Sequence, residues 1–217
     1  MSPRPLPSEL GLLVIDHLGS ERSYLAGHFG IDFNTGHAEA LRHCALVCKD
    51  WLHRSRQNLY SIISVGTGRA WWAARATLEK YPELRAAVRV LRVWYTRGLP
   101  LWDVVLVMRT MLAPHLCTFN LYSYEHRISL DNATRLCLQR RFHTVSSLTL
   151  RNMQAGQAVY ILRAFPALRH LQCIQIDISD TKQSTIISQH IPRIIPSPQL
   201  TELKVYRYLK CGCMRWD

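Results

Sequence analysis

The stretch "VRVLRV", residues 88–93, decides the fold, because the apolar residues at its first, fourth and sixth positions form a unit that repeats. The same spacing returns four more times, and successive copies start 23 to 32 residues apart. The five copies are Val88-Leu91-Val93, Leu116-Phe119-Leu121, Val145-Leu148-Leu150, Leu168-Leu171-Cys173 and Leu200-Leu203-Val205. Recurrence at a nearly constant interval predicts a chain built from copies of one supersecondary unit.

Each copy predicts a short strand that is followed by a helix. Helix-like sequence separates the copies at 101–112, 131–142, 155–165 and, more weakly, 182–190, and residues 69–81 precede the first copy. A strand with one helix is too small to bury its own apolar face, so such units stack and share a core. In each strand the second and third apolar positions point inward, while their neighbours take the opposite face. We predict an α/β fold with a parallel sheet; an ordinary α/β domain with coincidental spacing is the alternative.

The first 60 residues predict helices instead. Ser8 is a candidate N-cap for a first helix and Gly19 a candidate stop. Residues 19–36 are polar and contain glycine, which predicts a loop. Apolar positions step by three or four through 37–51, which predicts a second helix, and the basic stretch 52–60 predicts a short third one.

Composition limits the class of protein. The chain has 217 residues, with 27 Lys and Arg against 15 Asp and Glu, a formal charge of +12 that favours acidic partners. Its seven cysteines are odd in number and mostly stand in apolar stretches, which favours free thiols in a reducing compartment. No apolar run reaches the length of a signal peptide core or a membrane span. We expect a soluble cytoplasmic or nuclear protein that does not act at a membrane.

Sequence patterns that suggest catalysis or metal binding are incomplete in this chain. The stretch "GTGRAW", residues 66–71, has tryptophan where a dinucleotide fingerprint needs its third glycine. Cys44 and Cys48 could lie one helical turn apart, but no second ligand pair follows them at zinc-finger spacing. The late pair Cys211 and Cys213 has no neighbouring ligand and is interpreted as free thiols. We expect no catalytic residues, no metal and no cofactor.

Two stretches near the amino terminus carry a family resemblance. "LPSELGLLVIDHL" (6–18) and "ALRHCALVCKDWLHRSRQNLYSIISV" (40–65) resemble the F-box-like domain common in basidiomycete fungi, with a longer loop at 19–36. The later repeats resemble degenerate leucine-rich repeats, although only Asn152 loosely matches the asparagine that usually follows the strand. The resemblance implies a three-helix F-box-like domain over 1–62, followed over 63–217 by a βα solenoid of about five repeats. Because solenoids need capped ends, we expect further sequence or a partner to complete the array.

The resemblance also implies a function. F-box proteins dock on a Skp-type subunit of a cullin-based SCF ubiquitin ligase, and their repeats hold the target near the transferase. The residues implied in Skp docking are Leu6, Pro7, Leu10, Ile15, Leu18, Leu46, Val47, Cys48, Trp51, Leu59 and Tyr60. The residues that flank the inward positions of the strands form the candidate substrate face, namely Arg92, Trp94, Asn120, Tyr122, Thr149, Arg151, Gln172, Lys204 and Tyr206. Cations and aromatics recur in this set, so we expect an acidic or phosphorylated target segment.

Two other classes of function stay open. A repeat protein of this kind can be an interaction scaffold with no role in a ligase. The charge of +12 also suits a nucleic-acid binder, but the basic residues are dispersed and form no RNP-type aromatic strand, zinc finger or basic tail.

Overall fold

The computed structural model describes residues 8–29, 35–95, 114–126, 136, 138–140, 142–177 and 199–206. Within them the fold is mixed α/β. The helices are α1 (Ser8–Phe29), α2 (Thr35–Cys44), α3 (Lys49–Tyr60), α4 (Gly68–Lys80), a 3-10 helix (Pro82–Ala87) and α5 (Ala155–Leu162). The strands are β1 (Ile62–Val65), β2 (Val90–Tyr95), β3 (Thr118–His126), β4 (Ser147–Gln154), β5 (His170–Asp177) and β6 (Glu202–Tyr206). The helices predicted at 101–112 and 182–190 lie outside the described residues.

The predicted parallel sheet is confirmed. Its six strands lie side by side in chain order, and every neighbouring pair is parallel. The second apolar positions of the five copies pair in one row across the sheet, and the third positions pair in another. β1 adds a strand before the first copy, with Ile63 beside Leu91 and Val65 beside Val93. Residues that hold the same position in successive copies of the repeat therefore lie side by side in the sheet.

One backbone contact recurs where the strands begin. The carbonyl of Ser61 accepts hydrogen bonds from the N–H groups of Arg89 and Val90, both at 2.9 Å. The equivalent carbonyls, each bonded to two N–H groups of the following segment, belong to Arg89, Cys117, Ser146 and Arg169. These paired bonds fix the register of the parallel strands at their amino-terminal ends.

The main core lies between one face of the sheet and the helical layer. It contains the inward rows of β1 to β5 together with Trp71 and Leu78 of α4 and Ile161 of α5. At the end of the row, Leu203 of β6 is 43% exposed. Three buried aromatic rings pack against one another at its centre, with centroids 5.4 to 6.3 Å apart, and they belong to Phe119, Phe142 and Phe165. Cys173 is buried in this core as a free thiol, and burial raises its pKa to about 12. It therefore packs as a small apolar side chain.

Two adjacent strands carry a matched bend. Asn152 of β4 and Gln175 of β5 both have left-handed backbones, with φ of 54° and 55°. They face each other across the ladder, because the flanking pairs are Arg151 with Ile174 and Met153 with Ile176. Each bend interrupts the alternation of faces by one residue. As a result Met153 is fully buried and Ile176 packs against the core.

The helical unit differs from the prediction in the length of its first helix. α1 runs through Gly19 to Phe29, so the predicted stop at Gly19 and the predicted loop over 19–29 are wrong. Gly19 is buried against α3, where an added Cβ would lie 2.5 Å from Oδ1 of Asn58. Gly11, two turns earlier, is buried against the ring of Trp51 in the same way. The glycines let α3 approach α1 closely.

The prediction of one second helix over 37–51 is also wrong. The chain does not continue as one helix over 37–51, because α2 ends at Cys44 and α3 begins at Lys49. Between them the N–H of Leu46 bonds to the carbonyl of His43 at 3.0 Å, and the N–H of Val47 bonds to that of Cys44 at 3.2 Å. These short-range bonds form a tight turn, which directs Leu46 and Val47 away from both helices.

Candidate functional site

Among the described residues of the three-helix unit, five large apolar side chains are exposed to solvent. On α1, Leu10, Leu13 and Val14 are 49%, 64% and 51% exposed. In the turn before α3, Leu46 is 82% exposed and Val47 is 62% exposed. We call these five residues the apolar patch. Clustered apolar exposure of this kind is typical of an interaction surface.

Packing between the helices brings the two parts of the apolar patch to one end of the unit. Trp51 lies on Gly11 and Asn58 lies on Gly19, so α1 and α3 run in the same direction. The start of α3 therefore lies beside the start of α1. The turn before α3 is thus placed at the same end as Leu10.

The inner face of α1 is a separate stripe. Gly11, Ile15 and Gly19 are buried at intervals of four residues, and Ile15 has no exposed surface, like Leu41 of α2. Ile15 was predicted to contact a Skp-type subunit, but it belongs to the core of the helical unit. Leu13 and Val14 were not among the predicted site residues, although their spacing from Leu10 is that of one helical face.

The other residues predicted for Skp docking divide by exposure. Cys48 is exposed beside the apolar patch. Leu18, Trp51, Leu59 and Tyr60 are partly buried, and Tyr60 packs against the core of the sheet. Leu6 and Pro7 lie outside the described residues. The surface that the structure offers for docking is therefore narrower than the predicted set.

A polar network holds α1 against α3. Nε and Nη2 of Arg54 donate to the two carboxylate oxygens of Asp16, each at 2.6 Å, and Nδ2 of Asn58 donates to Oδ1 of Asp16 at 3.1 Å. The hydrogen bond from Arg54 is the main cause that lowers the pKa of Asp16. An open cavity of about 450 Å³ adjoins the network, and its wall includes Glu83 and Arg89 near the 3-10 helix. Its lining mixes both signs of charge.

The candidate substrate residues occupy the sheet face opposite the main core. Row A, as we call it, pairs Arg92, Asn120, Thr149, Gln172 and Lys204 from β2 to β6. Row B follows it along the strands and pairs Trp94, Tyr122, Arg151, Ile174 and Tyr206. The side chain of Tyr206 lies outside the described residues. The register thus brings the predicted residues together on one face.

Some of the predicted residues on this face are buried and others are accessible to solvent. Arg92 and Asn120 have no exposed surface, Tyr122 is 4% exposed and Thr149 is 6% exposed. The prediction that these four residues belong to an accessible substrate face is wrong. Strand alternation determines which face of the sheet a side chain occupies, but it does not determine whether that face is covered. The accessible part of the predicted set consists of Trp94, Arg151, Gln172 and Lys204.

Paired positions of β2, β3 and β4 bring together a stacked aromatic pair and an arginine. The rings of Trp94 and Tyr122 have centroids 5.3 Å apart and planes 18° apart. Arg151 pairs with Tyr122 across the ladder, and its Nε donates to Oε1 of Gln175 at 3.3 Å. Burial raises the pKa of the Tyr122 hydroxyl, while the nearby charges of Arg92 and Arg151 act in the opposite direction.

Among the described residues, no group of three His, Cys, Asp or Glu side chains is placed to hold a metal ion. No helix in that part of the chain has the length and apolarity needed to cross a bilayer. Comparisons with protein-family models, with curated proteins and with solved structures returned no match.

Proposed function

We propose that this protein is a substrate-recognition adaptor of a cullin-based, SCF-type ubiquitin ligase. In this proposal residues 1–62 are an F-box-like domain that docks on a Skp-type subunit through the apolar patch. Residues 63–217 are a degenerate leucine-rich-repeat-like solenoid that binds the target. The protein performs no chemistry itself, and its contribution is to hold the target near the transferase.

The observation that carries the proposal is the exposure of Leu46 and Val47, at 82% and 62%. Both residues belong to the stretch on which the family resemblance rests. Burying one large aliphatic side chain contributes about 1.5–3 kcal/mol. Five such residues offer enough apolar surface for a specific contact with a partner, as long as the partner supplies an apolar groove.

A pull-down with a purified Skp-type subunit tests the proposal. The wild-type chain should retain the subunit, and Leu46→Asp and Val47→Asp should abolish retention, because each places a charge in the buried centre of the contact. Both residues are exposed in the free protein, so neither variant disturbs the core. Trp72→Asp is the matched control, because Trp72 is 60% exposed on α4, away from the apolar patch.

Three outcomes contradict the proposal: a wild-type chain that fails to retain the subunit, patch variants that still retain it, and a Trp72 control that loses it equally. The first would leave a repeat scaffold without a ligase role. Trp51→Ala is a poor probe of docking, since the Trp51 ring lies on Gly11 and its loss alters the packing of α1 against α3.

A further inference from the structure

In the described part of the chain β6 is the last strand of the sheet, and there the apolar row of the core ends in solvent. Leu203 continues the row of Leu148 and Leu171, which are 0% and 2% exposed, yet Leu203 itself is 43% exposed. The opposite edge differs, because Ile63 of β1 holds the same place in the row and is only 7% exposed. The β6 edge therefore presents apolar surface that the chain leaves uncovered.

The backbone of β6 offers hydrogen-bonding groups at the same edge. The N–H of Glu202 donates to the carbonyl of Arg169, which directly precedes β5, at 3.1 Å. Alternate residues of a strand direct their N–H and C=O groups to opposite sides. Leu203 therefore directs its N–H and C=O away from β5, and an edge of this kind is suited to pairing with another strand.

The charges of β6 are arranged to fit a second copy of the same strand. Glu202 and Lys204 flank Leu203 and share one face of the strand, and each side chain is 46% exposed. In an antiparallel pair of β6 strands centred on Leu203, Glu202 of each copy faces Lys204 of the other. A centre at Glu202 or at Lys204 would instead oppose like charges, which is destabilising. Charge therefore selects one register.

The neighbouring groups are compatible with this pairing. Within one copy the carboxylate of Glu202 lies 2.7 Å from Nζ of Lys204 and 3.4 Å from Nδ1 of His170. Arg169, the exposed residue before His170, adds a further cation on the β5 side. Asp177, the carboxylate of β5, lies beyond the part of that strand that pairs with β6. A second copy thus brings another ammonium group to a carboxylate that has cations as its described charged neighbours.

We propose that two copies of this chain associate through β6 as an isologous dimer, with the two strands antiparallel and centred on Leu203. The N–H and C=O of Leu203 in each copy bond to those of the other copy. Glu202 and Lys204 form ion pairs across the interface at two symmetric places. Opposed residues of an antiparallel pair share a face, so the two Leu203 side chains cover each other on the core side. The dimer does not depend on the proposed adaptor function.

Sedimentation equilibrium of the full chain tests the dimer. Each chain carries a formal charge of +12, so the measurement is made in about 0.15 M salt, where long-range repulsion is largely screened. The contact is one short strand, and we expect a transient dimer that forms between about 1 and 100 μM. Lys204→Glu and Glu202→Lys should each weaken association at least about tenfold, or about 1.4 kcal/mol, because each opposes like charges at both places.

Exchange of the two charges makes the test specific to this register. The double variant Glu202→Lys with Lys204→Glu should dimerise like the wild type, because each lysine again faces a glutamate. An equimolar mixture of the two single variants should form a heterodimer for the same reason. Arg163→Glu is the matched control for Lys204→Glu, since it reverses an exposed cation that directly follows α5, and it should change association less than about twofold.

A wild-type chain that stays monomeric at about 100 μM would overturn the dimer, and this measurement needs no variant to fold. Three other results would contradict pairing through β6. They are single variants that dimerise as tightly as the wild type, an equal loss in Arg163→Glu, and a double variant that stays monomeric. A dimer formed through the apolar patch would give the first of these results.

Discussion

The contact between Gly11 and Trp51 offers the sharpest test of how the helical unit is built. In Gly11→Ala the added Cβ would lie 2.0 Å from Cζ2, 2.5 Å from Cε2 and 2.8 Å from Nε1 of the Trp51 ring. Two carbon atoms in ordinary contact stand at least about 3.5 Å apart. The ring or the helix must therefore retreat by about 1.5 Å.

The cost of that displacement can be estimated from two opposing effects. Overpacking a well-filled site costs about 1–3 kcal/mol, and a methyl group driven into a ring between two helices belongs near the upper value. Alanine in place of glycine inside a helix returns about 1 kcal/mol. We therefore expect Gly11→Ala to lower the free energy of unfolding by about 2 kcal/mol. For a chain of this size the melting temperature should fall by about 4–8 °C.

Urea denaturation followed by circular dichroism measures the change. Gly36→Ala is the matched control, because Gly36 also lies in a helix but nothing stands within 4 Å of an added Cβ. Because Gly36 stands in the first turn of α2, that variant should keep the free energy of unfolding or raise it by at most about 0.5 kcal/mol, less than at a position in the helix interior. The double variant Gly11→Ala with Trp51→Leu should cost less than the sum of its single changes, since the smaller side chain makes room for the methyl group. If Gly11→Ala proved as stable as Gly36→Ala, the close approach of α1 and α3 would be refuted.

Two further predictions concern stability. Because Asn152 has a left-handed backbone, Asn152→Gly should keep the free energy of unfolding or raise it by up to about 1 kcal/mol. Asn152→Val should lower the free energy of unfolding by about 1–2 kcal/mol. Denaturation curves that coincide for the two variants would contradict this expectation. The second concerns pH. Arg54 lowers the pKa of Asp16 in the folded chain, so their pair stabilises the fold above the unfolded pKa of about 3.9, and the contribution is lost as pH falls through the folded pKa. Asp16→Asn should therefore lower the free energy of unfolding by up to about 1 kcal/mol near pH 7 and by almost nothing near pH 2. If denaturation curves showed an equal loss at the two pH values, the Asp16–Arg54 pair would be excluded as the cause of the loss.

The parallel sheet was predictable from the sequence because its signal is repeated. A single "VRVLRV" fits many structures, but five copies at similar intervals favour one unit that stacks on itself. The alternation of strand residues then assigned Leu91 and Val93 to the core and Arg92 to the other face, as the register has them. The bends at Asn152 and Gln175 had no comparable signal, because neither residue type requires a left-handed backbone.

The helical unit was harder to predict because the meaning of a glycine depends on its partner. Gly19 was interpreted as a helix stop from its neighbours in the chain alone. The structure uses it for the approach of Asn58, which is 39 positions away in sequence. The burial of Asn120 was hidden for the same reason, since local pattern assigns a face to a side chain and only tertiary structure determines whether that face is covered.

The direct connection between the helical unit and the sheet bears on the proposed mechanism. α3 ends at Tyr60 and β1 begins at Ile62, while the carbonyl of Ser61 between them bonds to the start of β2. The guanidinium carbon of Arg56 in α3 lies 5.7 Å from the centre of the Tyr81 ring, beyond α4, which adds a contact between the two parts. A proximity mechanism depends on the distance between the docking surface and the bound target. With one residue between α3 and β1, that distance is set by packing, so a flexible insert after Ser61 should impair target modification while leaving both separate binding events intact.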